Sequence, residues 1–284
     1  FIQANEDHHP VRRLCAVLAV HHSGYYAWRR NPHSQRSQDD RRVSTLVHQS
    51  WLESGRVYGY RKVCNDLRDL GEQCGKHRVA RLMRQAGWKS QTGYTRRPGF
   101  RSGKPAVVAP NHLKRAFDVA EPNTAWVTDI TYIRTHEGWL YLAVVIDLFS
   151  RHVVGWSMQS RMETDLALNA LLMAVWRRQP KSAVTIHSDQ GSQFSSHEWQ
   201  SFLKAHNLVA SMSRRGNCYD NAVAEATFKI IKTEFVKNQT FADLKTLKLE
   251  FADYVNWFNN HRIHSSLDYL TPVAYRMNTL KKVV

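Results

Sequence analysis

The sequence predicts two regions of different class. The first is an all-α, strongly basic N-terminal region. The second is an α/β region built on a mixed sheet flanked by helices. Three observations carry this. Up to about residue 93, apolar residues recur at helical spacing between Gly, Ser and Pro stops. From residue 124 the pattern switches to three strand-like runs and then alternates helix with strand. The charge is also uneven. The 284-residue chain has a formal net charge of +16, and residues 1–110 hold 20 Lys and Arg against 8 Asp and Glu.

Pro10 opens a short helical unit over 10–31, with Leu14, Val17 and Leu18 apolar, then Ser23-Gly24 and the aromatic Tyr25-Tyr26-Trp28; Pro32 closes it. A helix over about 38–53 stops at Ser54-Gly55. Tyr58-Gly-Tyr-Arg-Lys-Val-Cys-Asn-Asp-Leu-Arg-Asp-Leu70 ends at Gly71, and Lys76-His-Arg-Val-Ala-Arg-Leu-Met-Arg-Gln-Ala86 ends at Gly87. In that last helix Val79, Leu82 and Met83 form an apolar stripe, and Arg78, Arg81 and Arg84 project elsewhere. Two short helices joined by a Gly-containing turn, the second rich in Arg, resemble a helix-turn-helix. Arg61, Lys62, Lys76, Arg78, Arg81 and Arg84 are then candidate DNA contacts. A helical hairpin with solubilising arginines has the same pattern. Charge favours DNA, because eleven basic and no acidic residues lie between Gln73 and Phe117, and a one-signed tract needs a polyanionic partner. An anionic membrane fits less well, since the helix lacks a lipid-type aromatic face.

Residues 94–123 read as a basic linker, Pro- and Gly-rich over Tyr94–Pro105. Strands follow at about 125–133, 139–147 and 152–158, with turns at His136-Glu137-Gly138 and Phe149-Ser150-Arg151. Next come a helix at 163–178, a strand at 183–188, a helix at 196–206, a strand at 208–212 and a helix at 220–236. A three-strand meander followed by alternating helix and strand is the ribonuclease H-like arrangement. The expected division is therefore 1–37 N-terminal helical segment, 38–93 helix-turn-helix domain, 94–123 linker, 124–236 catalytic core and 237–284 C-terminal helical extension.

Composition excludes several classes. Hydrophobic residues make up 43% of the chain, which supports real cores. The longest strongly apolar run, Leu140–Ile146, is too short to span a bilayer, and no secretory signal is visible. Cys15, Cys64, Cys74 and Cys218 form no Cys-x-x-Cys pair and read as free thiols in a reducing cytoplasm. Zinc held with His8, His9, His21 or His22 fits no standard spacing.

Asp129 and Asp189 each follow a β-like stretch and precede a change of pattern, and Glu225 lies on the 220–236 helix. Carboxylates at strand ends of an α/β sheet are well placed for function. Converging carboxylates suit magnesium, or manganese in its place, and two such ions can clamp both oxygens of a phosphodiester. The plainer reading makes each acid a cap or a surface charge. Lys229 and Lys232 share the Glu225 face at i+4 and i+7 and read as solvent-facing phosphate contacts, or as a surface Glu–Lys pair. Arg214-Arg215-Gly216 precedes the helix in a turn that could grip DNA. Asp147 is a fourth acid, set beside the site rather than in it. Gly191, Gln193 and Asn221 flank the acids as orienting or turn residues.

Several segments in order make a resemblance specific: Thr128-Asp-Ile-Thr-Tyr-Ile133, Gly138-Trp-Leu-Tyr-Leu-Ala-Val-Val-Ile-Asp147, Ser150-Arg151, His187-Ser-Asp-Gln-Gly-Ser-Gln-Phe194, Asn217-Cys-Tyr-Asp-Asn-Ala222, and Tyr254-Val-Asn-Trp-Phe-Asn-Asn260 with His261 and Arg262. The chain resembles, over nearly its whole length, the OrfB transposases of the "insertion sequence three" family, which belong to the integrase-like DDE superfamily. The resemblance implies that Asp129, Asp189 and Glu225 are the acidic triad and that Lys232 is the basic residue seven positions after the Glu. It also implies metal-dependent nicking and strand transfer on double-stranded DNA, a homo-oligomer on DNA, and a partner OrfA-like reading frame. Members commonly carry Ser-Phe directly after the Glu; here Ala226-Thr227-Phe228 follows. The rival readings are a catalytically silent, transposase-derived repressor and a ribonuclease H-like nuclease.

Overall fold

The computed structural model describes residues 1–31, 34–91, 108–214, 218–237 and 239–281. The Pro32 stop, the Tyr94–Pro105 stretch and Arg215-Gly216 lie outside the described residues. The chain forms two compact units, Phe1–Ser90 and Gln91–Val284.

The first unit is helical: α1 Ile2–Asn5, α2 Val11–Val17, α3 His22–Arg30, α4 Gln35–Glu53, α5 Tyr60–Asp69 and α6 Lys76–Gln85. Helix α4 starts earlier than its apolar period suggests, because Ser34 caps it by accepting from Ser37 N at 3.1 Å. The expected stripe of Val79, Leu82 and Met83 is buried, and faces Val43 and Val47 of α4 and Val63 and Leu67 of α5 in a small apolar core.

The basic face of α6 differs from expectation. Arg78 donates to Asp40 at 2.7 Å and Asp39 at 2.8 Å, and Arg81 donates to Asp40 at 2.6 Å. Both arginines therefore pin α6 to α4 instead of projecting freely. Their acids come from outside the one-signed tract, so linear charge counting could not see them. Arg61, Lys76 and Arg84 are exposed, and Lys62 is half-buried with Nζ 4.7 Å from the Tyr58 ring centre.

The second unit is built on β1 Ala125–Thr135, β2 Gly138–Asp147, β3 Val153–Gln159, β4 Val184–Ser188 and β5 Leu208–Met212. The sheet order is β3-β2-β1-β4-β5. The first three strands form an antiparallel meander, and β4 runs parallel to both β1 and β5. Around it lie α7 Thr164–Arg178, α8 His197–Ala205, α9 Ala222–Ile231, α10 Leu244–Asn260 and α11 Pro272–Lys281. This is the expected ribonuclease H-like mixed sheet flanked by helices.

Strand period sorts the core onto two faces. Val127, Leu142, Val144 and Ile146 pack with Phe228 of α9 and Phe251 and Phe258 of α10. Trp126, Ala143 and Val145 pack with Leu166, Ala170 and Ala174 of α7 and Trp199 of α8. Gly155 on β3 sets the approach of α7: a Cβ there would fall 2.1 Å from the Ala170 carbonyl oxygen.

The helix expected over 220–236 is not continuous. A 3₁₀ turn at Cys218–Asn221 precedes α9, and a π-helical turn at Lys232–Val236 follows it. Lys237 N donates to Lys232 O at 2.9 Å, a five-residue step that accommodates one extra residue in the turn. No helix among the described residues is long and apolar enough to cross a membrane.

Candidate active site

Strands β1 and β4 pair only over Ala125–Val127 with Thr185–His187, and the last rung joins Val127 to His187. Asp129 lies two residues beyond that rung on β1, and Asp189 two residues beyond it, directly after β4. The equal offset sets both carboxylates just past the point where the β1–β4 ladder stops. Only Asp189 stands at its strand's end as expected; β1 runs on past Asp129 to Thr135, paired there with β2 alone. Helix α9 packs against β1 and carries Glu225 on its exposed side.

Each Asp is steered by local backbone. Asp129 Oδ1 accepts from Ile130 N at 2.7 Å, and Asp189 Oδ1 accepts from Gly191 N at 2.9 Å. Gly191 leaves that second bond room: a Cβ there would sit 3.0 Å from Asp189 Oδ1 and 3.2 Å from Gln193 Oε1, tight enough to push on both side chains. Gln193 does not turn its amide to the acids; its Nε2 donates to Met162 O at 3.1 Å.

The acids repel one another. Burial first, then the charges of Asp189 and Glu225, push the Asp129 carboxyl well above the ordinary carboxylate range. Burial also raises Asp189, against the Gly191 N–H, and burial raises Glu225. Lys232 is half-buried rather than solvent-facing, with Nζ 4.5 Å from the Tyr132 ring centre. Burial lowers its pKa, against the attraction of Asp129. Lys229, one turn earlier, is exposed.

Among the described residues, no three His, Cys, Asp or Glu side chains are grouped closely enough to hold a metal ion as they stand. The donor chemistry nevertheless fits a hard dication. All three acids are oxygen ligands, and their mutual repulsion is what such an ion relieves.

Two anchors that the sequence did not signal hold α9 in place. Asp220, fully buried at its entrance, accepts from Arg115 Nε at 2.9 Å, Asn111 Nδ2 at 3.0 Å and Arg214 Nε at 3.2 Å. Arg214, expected to face DNA, is thus an exposed side chain tied back to Asp220, which it and Arg115 hold far below the ordinary range. Arg215 lies outside the described residues. At the other end, Glu234 of the π turn receives a bidentate pair from buried Arg262 at 2.6 and 2.7 Å and a bond from Tyr254 Oη at 3.2 Å. The extra residue of the π turn lets Glu234 point inward while Lys232 stays beside Tyr132.

His187 is buried between Ser211 Oγ at 2.9 Å and Ser213 Oγ at 3.0 Å, and burial lowers its pKa. It ties β4 to β5. Asp147 is fully buried, accepts from Ser150 Oγ at 3.0 Å, and pairs across the ladder with Trp126 rather than near Asp129. It closes the β2–β3 turn.

Comparison with known proteins places this geometry. An integrase core domain model matches residues 119–218, a second integrase core domain model matches 225–280, and an HTH-like domain model matches 38–97. The chain is 37% identical over 283 residues to the transposase InsF for insertion sequence IS3A of Escherichia coli (strain K12), covering 99% of this chain and 98% of that protein. It is 33% identical over 264 residues to the insertion element IS600 uncharacterized 31 kDa protein of Shigella sonnei, covering 93% and 97%. Among solved structures, the HTLV-2 integrase catalytic core domain in complex with magnesium aligns at 20% identity over 55% of this chain and 97% of that chain, with a TM-score of 0.43.

Proposed function

The chain belongs to the insertion sequence IS3 transposase family, and from that premise we propose how its residues divide the work of a DNA transposase. Asp129, Asp189 and Glu225 are the catalytic acids and the ligands for magnesium, or manganese in its place, with two ions as the working number. The observation that carries this is the equal offset of Asp129 and Asp189 past the last β1–β4 rung, with Asp129 sensing the charge of Glu225. When bound, such ions would activate the attacking oxygen and stabilise the leaving one. The three carboxylates hold the reacting phosphate's surroundings in place, first for attack by water and then for attack by the freed 3′-hydroxyl. Lys232 and Lys229 contact phosphates beside the scissile bond.

Residues 38–93 bind double-stranded DNA at element ends, through exposed Arg61, Lys76 and Arg84 and with Lys62 close by; residues 124–236 carry the chemistry on donor and target. The HTH-like and integrase core matches support this division. The active species is a homo-oligomer on DNA, joined by or fused to an OrfA-like protein, in the cytoplasm with the nucleoid.

The test uses labelled element ends with magnesium. Asp129→Asn, Asp189→Asn and Glu225→Gln keep shape and remove charge. Each should lower nicking and joining at least about a hundredfold, the scale of lost electrostatic catalysis, with DNA binding largely kept. Near-normal joining by Glu225→Gln would overturn the site assignment. Nicking without joining in the unaltered protein would mark a nuclease, and no activity at all would mark a silent DNA-binding protein.

A further inference from the structure

Beyond the acids, the β1–β2 hairpin presents two large aromatic residues to solvent. Tyr132 is 46% exposed and Trp139 is 53% exposed. Strand register explains the pairing. Tyr132 lies opposite Tyr141 and Arg134 opposite Trp139, so Tyr132, Arg134 and Trp139 share one face, while Ile133 and Leu140 turn into the core. The two rings meet edge to face, with centres 5.0 Å apart at 88°. Each also has a cation beside it: Lys232 Nζ is 4.5 Å from the Tyr132 centre, and Arg134 Cζ is 6.0 Å from the Trp139 centre.

The hairpin is held firmly. Thr135 Oγ1 donates to Gly138 O at 3.0 Å across the turn, and His136 N donates to Phe241 O at 3.1 Å in the segment before α10. Core packing does not require exposed aromatics here. Rings with flanking cations in a DNA-processing protein match the chemistry of unpaired nucleobases, which stack on aromatic faces while cations hold the backbone. Position adds a constraint. Tyr132 is three residues along β1 from Asp129, about 10 Å at strand rise, and on the opposite face of the strand; Lys232, beside the Tyr132 ring and drawn to Asp129, links the two across the strand.

We propose that Tyr132 and Trp139, flanked by Arg134 and Lys232, form a stacking platform that captures an unpaired base of the DNA end within about three nucleotides of the reacting phosphate, since three steps of one strand span about 10 Å. The proposal rests on the reading that Asp129 marks that phosphate. The platform rewards local opening of the duplex. A base taken out of the helix loses its stack and pairing, and the rings replace part of that loss. It therefore positions the strand end and favours ends that open easily.

The test separates capture from chemistry. Element-end duplexes carry 2-aminopurine at each of the three positions flanking the cleavage site, and fluorescence is read in the complex with Asp129→Asn protein. One position should change emission on binding. Adding Trp139→Ala should abolish that change, and Trp139→Phe should retain most of it. In otherwise unaltered protein, Trp139→Ala should slow joining about tenfold on fully paired ends, the scale of one lost stack, with less loss on ends mismatched at that position. If Asp129→Asn protein joins normally, the catalytic reading fails. If it is inactive and Trp139→Ala changes neither emission nor joining, the platform fails. A shift in oligomeric state by light scattering, with DNA signals unchanged, would make the patch a protein contact and overturn the proposal.

Discussion

The α/β unit treats its acids in two opposite ways. Asp220 and Glu234 are buried or nearly so and are each bonded to arginine. Asp129 on β1, Asp189 just after β4 and Glu225 on α9 have surroundings that raise their pKa values. The first pair spends its charge on fastening the two ends of one helical segment. The second group keeps its charge unneutralised. An acid bonded to arginine is structure; on the proposed function, crowded acids without such a partner are the ones that would receive a cation.

That comparison predicts opposite stability effects, and the largest is at Asp220. Its replacement by Ala leaves Arg214 N and Asn111 without their acceptor and frees two guanidinium groups, which should cost about 2 kcal/mol. Asp129→Asn should leave the melting midpoint unchanged or raise it slightly without divalent ions, since it removes repulsion. Parallel melts of the two variants decide this. Equal destabilisation would erase the distinction between anchor and site.

Acid pH sharpens the same contrast. The folded Asp220 pKa is depressed below its ordinary 3.8. Its contribution is fully present above that ordinary value and is lost as pH falls through the folded one. Asp129, raised in the fold, has the opposite sign: it gains a proton early on acidification, and that relieves strain. Denaturant midpoints from pH 6 down to about pH 3 should therefore fall less for Asp220→Asn than for the parent chain.

Why one group was legible in the sequence and the other was not follows from what each depends on. Asp189 closes a short apolar run, so strand pattern alone marks it as a strand-end carboxylate, and the meander followed by alternating helix and strand marked the mixed sheet. Asp129 also follows an apolar stretch, but β1 carries on past it to Thr135, and its place is set by where the β4 ladder stops. Asp220 finds Arg115 more than a hundred positions away, and no local rule points there. Glu234 fell within the helix expected over 220–236, with nothing in the sequence to single it out. Only the π turn, set by the buried Arg262 and Tyr254 of and after α10, turns it inward. The last two helices read merely as an extension, yet α10 lies in the same apolar cluster as β2.

Lys232 stands between the two groups, half-buried beside Tyr132 and drawn to Asp129. Lys232→Ala should lower joining about tenfold, and end-specific binding with it, by removing a phosphate contact worth about 1.4 kcal/mol. The melting midpoint should fall only modestly, through the lost ring contact. Lys232→Arg should be intermediate in joining, because a planar guanidinium does not reproduce a point charge. A large loss of melting temperature with joining intact would place Lys232 with the anchors.

The smallest effects are expected in the helical unit, where the same distinction recurs with the signs exchanged. Arg78 and Arg81 are held by Asp39 and Asp40, whereas Arg84 and Lys76 are exposed. Arg78→Ala should therefore act mainly on stability, lowering the melting midpoint by a few degrees, since partly exposed ion pairs contribute little each. Arg84→Ala should leave the melt unchanged and weaken DNA binding. If Arg84 neutralises one phosphate, the slope of log affinity against log salt should fall by about 1. The measurement is a salt titration of the full chain on an element-end duplex, run beside thermal melts of both variants. If Arg78→Ala reduced the salt slope as much as Arg84→Ala, its guanidinium would have to leave Asp39 and Asp40 on meeting DNA. The pairing to α4 would then be a rest position for α6 arginines rather than a fixed strut.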